Sequence, residues 1–310
     1  MLLSILTPCY NGEAFIQQAI DSVLAQENPR IEMIIVDDGS TDRTPEILDA
    51  VDHPLIKVIH TPNRGAGAAR NTALSSASGI WTAYLDSDDL YLPDSLNETR
   101  NDYLEKKAEG TTDIICTPRL QTDMQMQEEP QILYPQKLED ISHHIPMLEF
   151  WTCIYRTSYL KSNGIRFYEY AKQDIETAFR YKTFSGTDHI EVDPDFKFYL
   201  QRINPLSNTH TWNKQTLYNI KAKVYYDLFQ TTSLEEDKTF LLQTASDCLQ
   251  QYYSLCAEHG CQNAESLKEM HVLFKNIHKE QKKYPSAQIA SDLEKVKQID
   301  KKRRHLTKMI

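Results

Sequence analysis

With 310 residues, 40% hydrophobic and 25% charged, the chain can bury one large core or two modest ones and is too apolar to be disordered throughout. A formal net charge of −10 argues against a general nucleic-acid binder, because neutralising phosphates takes a basic face. Six cysteines, at 9, 116, 153, 248, 256 and 261, show no paired C-x-x-C spacing; they read as reduced thiols of an intracellular protein and leave structural zinc without a ligand set.

The opening MLLSILTPCYNG has no basic n-region, and only about six apolar-leaning residues precede Pro8, so it reads as a first buried strand. No run approaches the roughly 20 apolar residues that span a bilayer. The expected location is the cytosol, or a membrane face reached from the cytosol.

From there, short β-branched runs alternate with helical patterns: strand 2–7, helix 13–26, strand 32–37, helix 44–51, strand 56–60. That alternation predicts a parallel sheet with right-handed crossovers. The first helix carries Phe15, Ile16, Ala19, Ile20, Val23 and Leu24 as one apolar stripe. The third strand leads through Thr61-Pro62-Asn63-Arg64 into a Gly/Ala-rich helix ending near Gly79, and Trp81 to Leu85 forms a fourth buried strand running into Asp86. All four strands release polar loops at their carboxyl ends, the edge where open α/β sheets bind ligands.

Residues 111–212 are less regular, with aromatic segments 150–155 and 196–200 expected as strands and a helix between them starting near Asp174. Beyond Trp212 the periodicity is helical: Leu217, Ile220, Val224, Tyr225 and Leu228 mark one amphipathic helix, 240–255 another. The expected division is 1–110, an α/β half with its ligand edge; 111–212, a less regular second half of the same domain; and 213–310, a helical region. The last stretch gathers Lys295, Lys297, Lys301, Lys302, Arg303, Arg304 and Lys308 around Asp300, which reads either as a solvated helical tail or as a peripheral anchor to anionic lipid.

Asp86, Ser87, Asp88 and Asp89 follow a hydrophobic strand that delivers them to the ligand edge. Three carboxylates so close repel one another unless a cation or donor intervenes. A hard divalent ion, Mg²⁺ or Mn²⁺, taking one or two carboxylates plus substrate phosphates fits that need. Two other readings stand beside it: an acidic turn capping a helix opened by Leu92-Pro93-Asp94, and a phosphotransferase with Asp86 as nucleophile. A second acidic pair, Asp37-Asp38-Gly39-Ser40, ends the second strand, where a carboxylate can accept a hydrogen bond from a nucleobase N–H. Gly65-Ala66-Gly67-Ala68-Ala69-Arg70 falls short of a dinucleotide fingerprint, since Arg70 stands where the third glycine belongs and the unit follows the third strand. Gly65 and Gly67 are expected to let the backbone approach a ligand, with Arg70 offering a cation to a phosphate or base.

TPCYNGEAF, IIVDDGSTD, NRGAGAARNTA and YLDSDD, in that order over about 90 residues, resemble family 2 glycosyltransferases of the GT-A fold. The resemblance implies a Rossmann-like nucleotide-diphospho-sugar transferase: a mixed, mostly parallel α/β sheet flanked by helices, here with a helical C-terminal extension. It implies that Pro8, Tyr10 and Glu13 line the nucleotide pocket, that Asp38 pairs with uracil, and that Gly65, Arg70 and Ser87 contact the donor. It further implies Asp86 on the ribose or metal side and Asp88 as direct ligand of Mn²⁺ or Mg²⁺. The stretch from Trp151 to Arg180 resembles the family's acceptor segment, with Asp174 in the general base position; many relatives have Glu just before it, where this chain has Gln173. FYLQRINPLSNTH resembles the segment near the diphosphate, making Arg202 a donor contact and His210 a third metal ligand.

These implications compose an inverting hexosyl- or N-acetylhexosaminyl-transferase, passing a sugar from a nucleotide-diphosphate donor, a UDP-sugar by resemblance, to a hydroxyl of a saccharide or lipid-linked glycan. One base opposite the leaving group gives a single displacement with inversion. Rival classes are a non-catalytic nucleotide-sugar sensor, indifferent to Asp174, and the phosphotransferase; a nicotinamide enzyme is disfavoured by Arg70. For the helical region, completing the acceptor site, homodimerisation and membrane contact are all compatible with its periodicity.

Overall fold

A computed structural model describes residues 1–127, 129–133, 149–169, 176–203, 213–261 and 263–307, the side chains of the final helix through Lys301. The chain forms two compact units, Met1–Pro205 and Leu206–Ile310.

In the first unit, β1 (Leu3–Cys9), β2 (Ile31–Asp37), β3 (Ile56–His60) and β4 (Trp81–Tyr84) run parallel, linked by helices α1 (Ile16–Leu24), α2 (Thr44–Asp49) and α3 (Ala66–Ser76). Every residue of β1 is buried, as a central strand covered on both faces requires. β1 pairs with β2 on one side and β4 on the other. Next come β5 (Leu90–Tyr91), α4 (Glu98–Glu109), β6 (Ile114–Cys116), β7 (Arg119–Asp123) and β8 (Gln131–Leu133). A 3-10 turn (Phe150–Thr152), β9 (Cys153–Arg156), α5 (Thr157–Ser162), α6 (Glu176–Phe184), β10 (Ile190–Val192) and β11 (Tyr199–Ile203) complete the described part of the unit. The main sheet has the order β10-β6-β9-β4-β1-β2-β3, with β9 antiparallel to both neighbours. A second sheet, β5-β11-β7-β8, sets the strand that follows the acidic loop beside β11, Tyr91 against Tyr199 and Leu90 against Leu200.

The mixed, mainly parallel sheet expected from the sequence is present. Local departures have local causes. The aromatic run from Phe150 opens as a 3-10 turn that drives Phe150 into a buried ring cluster with Tyr84, Phe167 and Phe179, and pairing starts only at Cys153. Phe196 and Phe198 are likewise core side chains ahead of a strand that begins at Tyr199. Asp94 adopts a left-handed φ of 54°, and the helix starts four residues later with Asn97 as its cap, its side chain accepting from the Arg100 N–H. The acidic cluster therefore does not cap that helix.

The second unit holds α7 (Lys214–Thr231), α8 (Glu235–His259), α9 (Ala264–Glu280) and α10 (Ala287–Thr307). α8 buries Leu241, Leu242, Ala245, Leu249, Tyr252 and Tyr253, and both α7 and α10 pack along it. Lys295 and Lys297 each lie 3.8 Å from an acid one turn back, Asp292 and Glu294, so part of the basic run is offset on its own helix. No described helix is long and apolar enough to cross a membrane.

Candidate functional site

The carboxyl ends of β1, β2 and β4 and the head of α3 meet at one edge. Beyond β1, Asn11 takes a left-handed φ of 52° and the loop is tied to the one after β2: the Asn11 N–H donates to Ser40 Oγ (2.9 Å), the Thr41 N–H to Asn11 Oδ1 (2.8 Å) and the Arg43 N–H to a Glu13 carboxylate oxygen (3.0 Å). Pro8 is buried within β1, whereas Tyr10 keeps 52% of its surface exposed. An exposed aromatic ring at a ligand edge is available for stacking.

Asp38 is 2% exposed, and its two oxygens accept from the backbone N–H groups of Arg64 (2.8 Å) and Gly65 (2.6 Å). It therefore shapes the loop that opens α3; each oxygen retains a lone pair for a further donor. Gly65, at φ 93°, occupies backbone space that L residues rarely adopt. At Gly67 a Cβ would stand 2.5 Å from the Tyr168 carbonyl oxygen, so the close approach this glycine permits is to the chain's own backbone.

The four residues Asp86, Ser87, Asp88 and Asp89 are not equivalent. Asp86 and Asp88 are partly exposed, but Asp89 is buried, accepting from Tyr199 Oη (2.6 Å) and from the Arg202 N–H (2.8 Å). Burial pushes the Asp89 carboxyl well above the usual carboxylate range, with the charges of Asp88 and Asp86 adding to the effect. It holds the loop, while Asp86 and Asp88 keep part of their surface exposed. Ser87 hydrogen-bonds the Cys9 thiol, which burial pushes up to about 12; the thiol is a neutral packing group.

Arg70 is buried, its Nη2 donating to Asp86 Oδ1 (2.7 Å) and its guanidinium lying 4.7 Å from the Phe150 ring centroid and 5.3 Å from that of Phe167. Its visible partner is thus the acidic loop. Arg202 is also buried: Nη1 donates to the Asp88 carbonyl oxygen (3.1 Å), Nη2 to Gln18, and the guanidinium sits over Phe15. It fixes the position of Asp88 from behind.

Glu176, in the first turn of α6, carries a carboxyl that burial pushes up to about 7; Arg70 and Arg180 pull it down, while Glu149 and Asp86 push it up. The sequence reading did not single it out, although an acid in the first turn of a helix is a visible signal. Asp174 and His210 lie outside the described residues.

Asp86 and Asp88 thus present oxygen donors on one turn. A hard divalent ion needs only one or two protein carboxylates when substrate phosphates and water complete its shell, so this pair fits Mn²⁺ or Mg²⁺.

The glycosyl transferase family 2 description matches residues 4–187, which take in every strand and loop of this edge except β11 and its Arg202. The chain belongs to glycosyl transferase family 2. The chain is 43% identical over 110 residues to the putative teichuronic acid biosynthesis glycosyltransferase TuaG of Bacillus subtilis, 34% of this chain and 44% of that one. It is 29% identical over 218 residues to the uncharacterized glycosyltransferase EpsJ of the same organism, 67% and 63% of the two chains. The chain thus spans less than two thirds of the length of these curated relatives. The crystal structure of Staphylococcus aureus TarS 1-349 in complex with UDP-GlcNAc superposes with a TM-score of 0.67 at 21% identity, covering 98% of this chain and 92% of that one. At that identity the likeness speaks for the fold.

Proposed function

We propose that this family 2 chain is an inverting glycosyltransferase that moves a hexosyl or N-acetylhexosaminyl group from a UDP-sugar to a hydroxyl of a saccharide or lipid-linked glycan. The observation that carries the reading is the partly exposed Asp86–Asp88 pair, delivered by β4 to the edge where the Asp38–Gly65 loop opens α3. A fold match to a UDP-GlcNAc complex favours UDP among donors.

In this reading Tyr10 packs on the base and Asp38 offers its remaining lone pairs to a base N–H. A Mn²⁺ or Mg²⁺ held by Asp88 and Asp86 would supply Lewis-acid neutralisation of the diphosphate leaving group. Arg70 balances Asp86, and Arg202 keeps Asp88 in place through its backbone carbonyl. Asp174 takes the proton of the attacking hydroxyl as the bond from the anomeric carbon to the diphosphate breaks.

Thermal stability against UDP, GDP, TDP, CMP and NADH, each with and without Mn²⁺, tests the donor. A ligand at 100 times its dissociation constant adds about 2.7 kcal/mol. UDP alone, with metal, is expected to stabilise the wild type and to lose that effect in Asp88→Asn; a response to NADH without metal, or to no nucleotide, refutes the reading. Retained anomeric configuration in the product, read by NMR, refutes inversion.

A further inference from the structure

Two consecutive residues of α3 serve different parts of the molecule. Arg70 reaches the acidic loop. Asn71, 3% exposed, reaches the segment that precedes α6: its Nδ2 donates to the Phe167 carbonyl (2.9 Å) and to Glu169 Oε1 (3.0 Å), while its Oδ1 accepts from the Phe167 N–H (3.0 Å). A side-chain amide bonded to both the N–H and the C=O of one residue fixes that residue in two directions. Arg64, at the head of the helix, pairs with the other oxygen of Glu169, and its own backbone N–H is held by Asp38. Gly67 lies directly on Tyr168. The Phe167 ring in turn stacks on Phe179 of α6, centroids 4.1 Å apart and planes within 3°. A packed, hydrogen-bonded path therefore runs from Asp38 through α3 and residues 167–169 into α6.

We propose that Asn71 and Glu169 are positioning residues that hold α6, with the acidic and basic groups it carries on the acceptor side, in register with the donor-binding loops. This rests on the glycosyltransferase reading above. A displacement of about 1 Å between reacting groups can cost roughly 10²-fold in rate without weakening binding of either substrate. Asn71 and Glu169 would act in that way, through Phe167, without touching the donor.

The test is steady-state transfer by full-length Asn71→Ala and Glu169→Gln, alongside the thermal shift with UDP and Mn²⁺. Asn71→Ala is expected to lower kcat by about 10- to 100-fold, with the donor KM and the nucleotide-induced shift within about twofold of wild type. Glu169→Gln, which keeps an acceptor for Asn71 and gives up the charge facing Arg64, is expected to lose less than about tenfold. Because the Arg64–Glu169 pair is largely exposed, its variants stay folded even if Asn71→Ala does not. Arg64→Glu, which turns attraction into repulsion at Glu169 while leaving the acceptor for Asn71 in place, should then lower kcat. Unchanged kcat in these variants, or kcat and nucleotide binding falling together, overturns the proposal and leaves the glycosyltransferase reading standing. A wild type that neither binds UDP nor transfers sugar overturns both.

Discussion

Arg70→Met removes the buried cation beneath the acidic loop while keeping most of its volume. Taking away one member of a buried ion pair costs about 3–5 kcal/mol when the other is left without compensation. Here the Asp86 side chain is 28% exposed and can rehydrate, which lowers the expectation to about 2–3 kcal/mol; losing the stacked guanidinium over Phe150 and Phe167 adds up to about 1 kcal/mol. Trp81 and Trp151 both lie buried in the first unit, so in a Trp212→Phe background fluorescence in a urea titration follows the unit that holds Arg70. Arg70→Lys is expected to recover only part of the loss, because an ammonium cannot lie flat on the two rings. In Arg70→Met/Asp86→Asn, neutralising the stranded carboxylate should return at least ~1 kcal/mol. A loss below about 1 kcal/mol in Arg70→Met, or no recovery in the double variant, would refute the assignment of Arg70 as the electrostatic support of Asp86.

Glu176 gives a pH dependence of definite sign. Its carboxyl titrates near 7 in the fold, against an ordinary value of 4.5, so between those values the folded chain binds the extra proton and stability falls as pH rises, by at most about 1.4 kcal/mol per pH unit. The penalty is complete above pH 7 and absent below 4.5. Denaturation midpoints across pH 5 to 8 should be flatter in Glu176→Gln than in wild type; parallel curves would show that Glu176 titrates normally. Gly67→Ala places a methyl 2.5 Å from the Tyr168 carbonyl oxygen, a backbone atom with no flexible side chain to yield, and is expected to cost about 1–3 kcal/mol; a cost below 0.5 kcal/mol in the same urea assay would mean that α3 stands off from that segment.

Much of the edge was legible in the sequence because each signal is local. A period-2 run of β-branched residues, an apolar stripe at helical spacing and a polar turn at a strand's carboxyl end need no partner to be recognised, and they place the Asp37–Asp38 pair, Gly65 and the Asp86–Asp89 cluster at the ends of strands and the head of a helix. The helix start at Asn97 was not legible because Leu92-Pro93-Asp94 looks like a helix opening until the left-handed backbone of Asp94 is seen.

What sequence alone determined is which groups arrive at the ligand edge: strands β1 to β4, the two acidic loops and the glycine-opened helix. The tertiary structure decided how those groups divide the work. Asp86, Asp88 and Asp89 are chemically alike in one turn, and only the pairing of β5 with β11 brings Tyr199 and Arg202 under the loop to bury Asp89 and leave the other two partly exposed. Similarly, Arg70 and Asn71 are neighbours in a string of small residues, and nothing in that string tells that one meets Asp86, 16 positions away, and the other Phe167, 96 positions away. The burial and partners that set a polar side chain's role come from distant segments, and their arrangement depends on the packing of the whole unit.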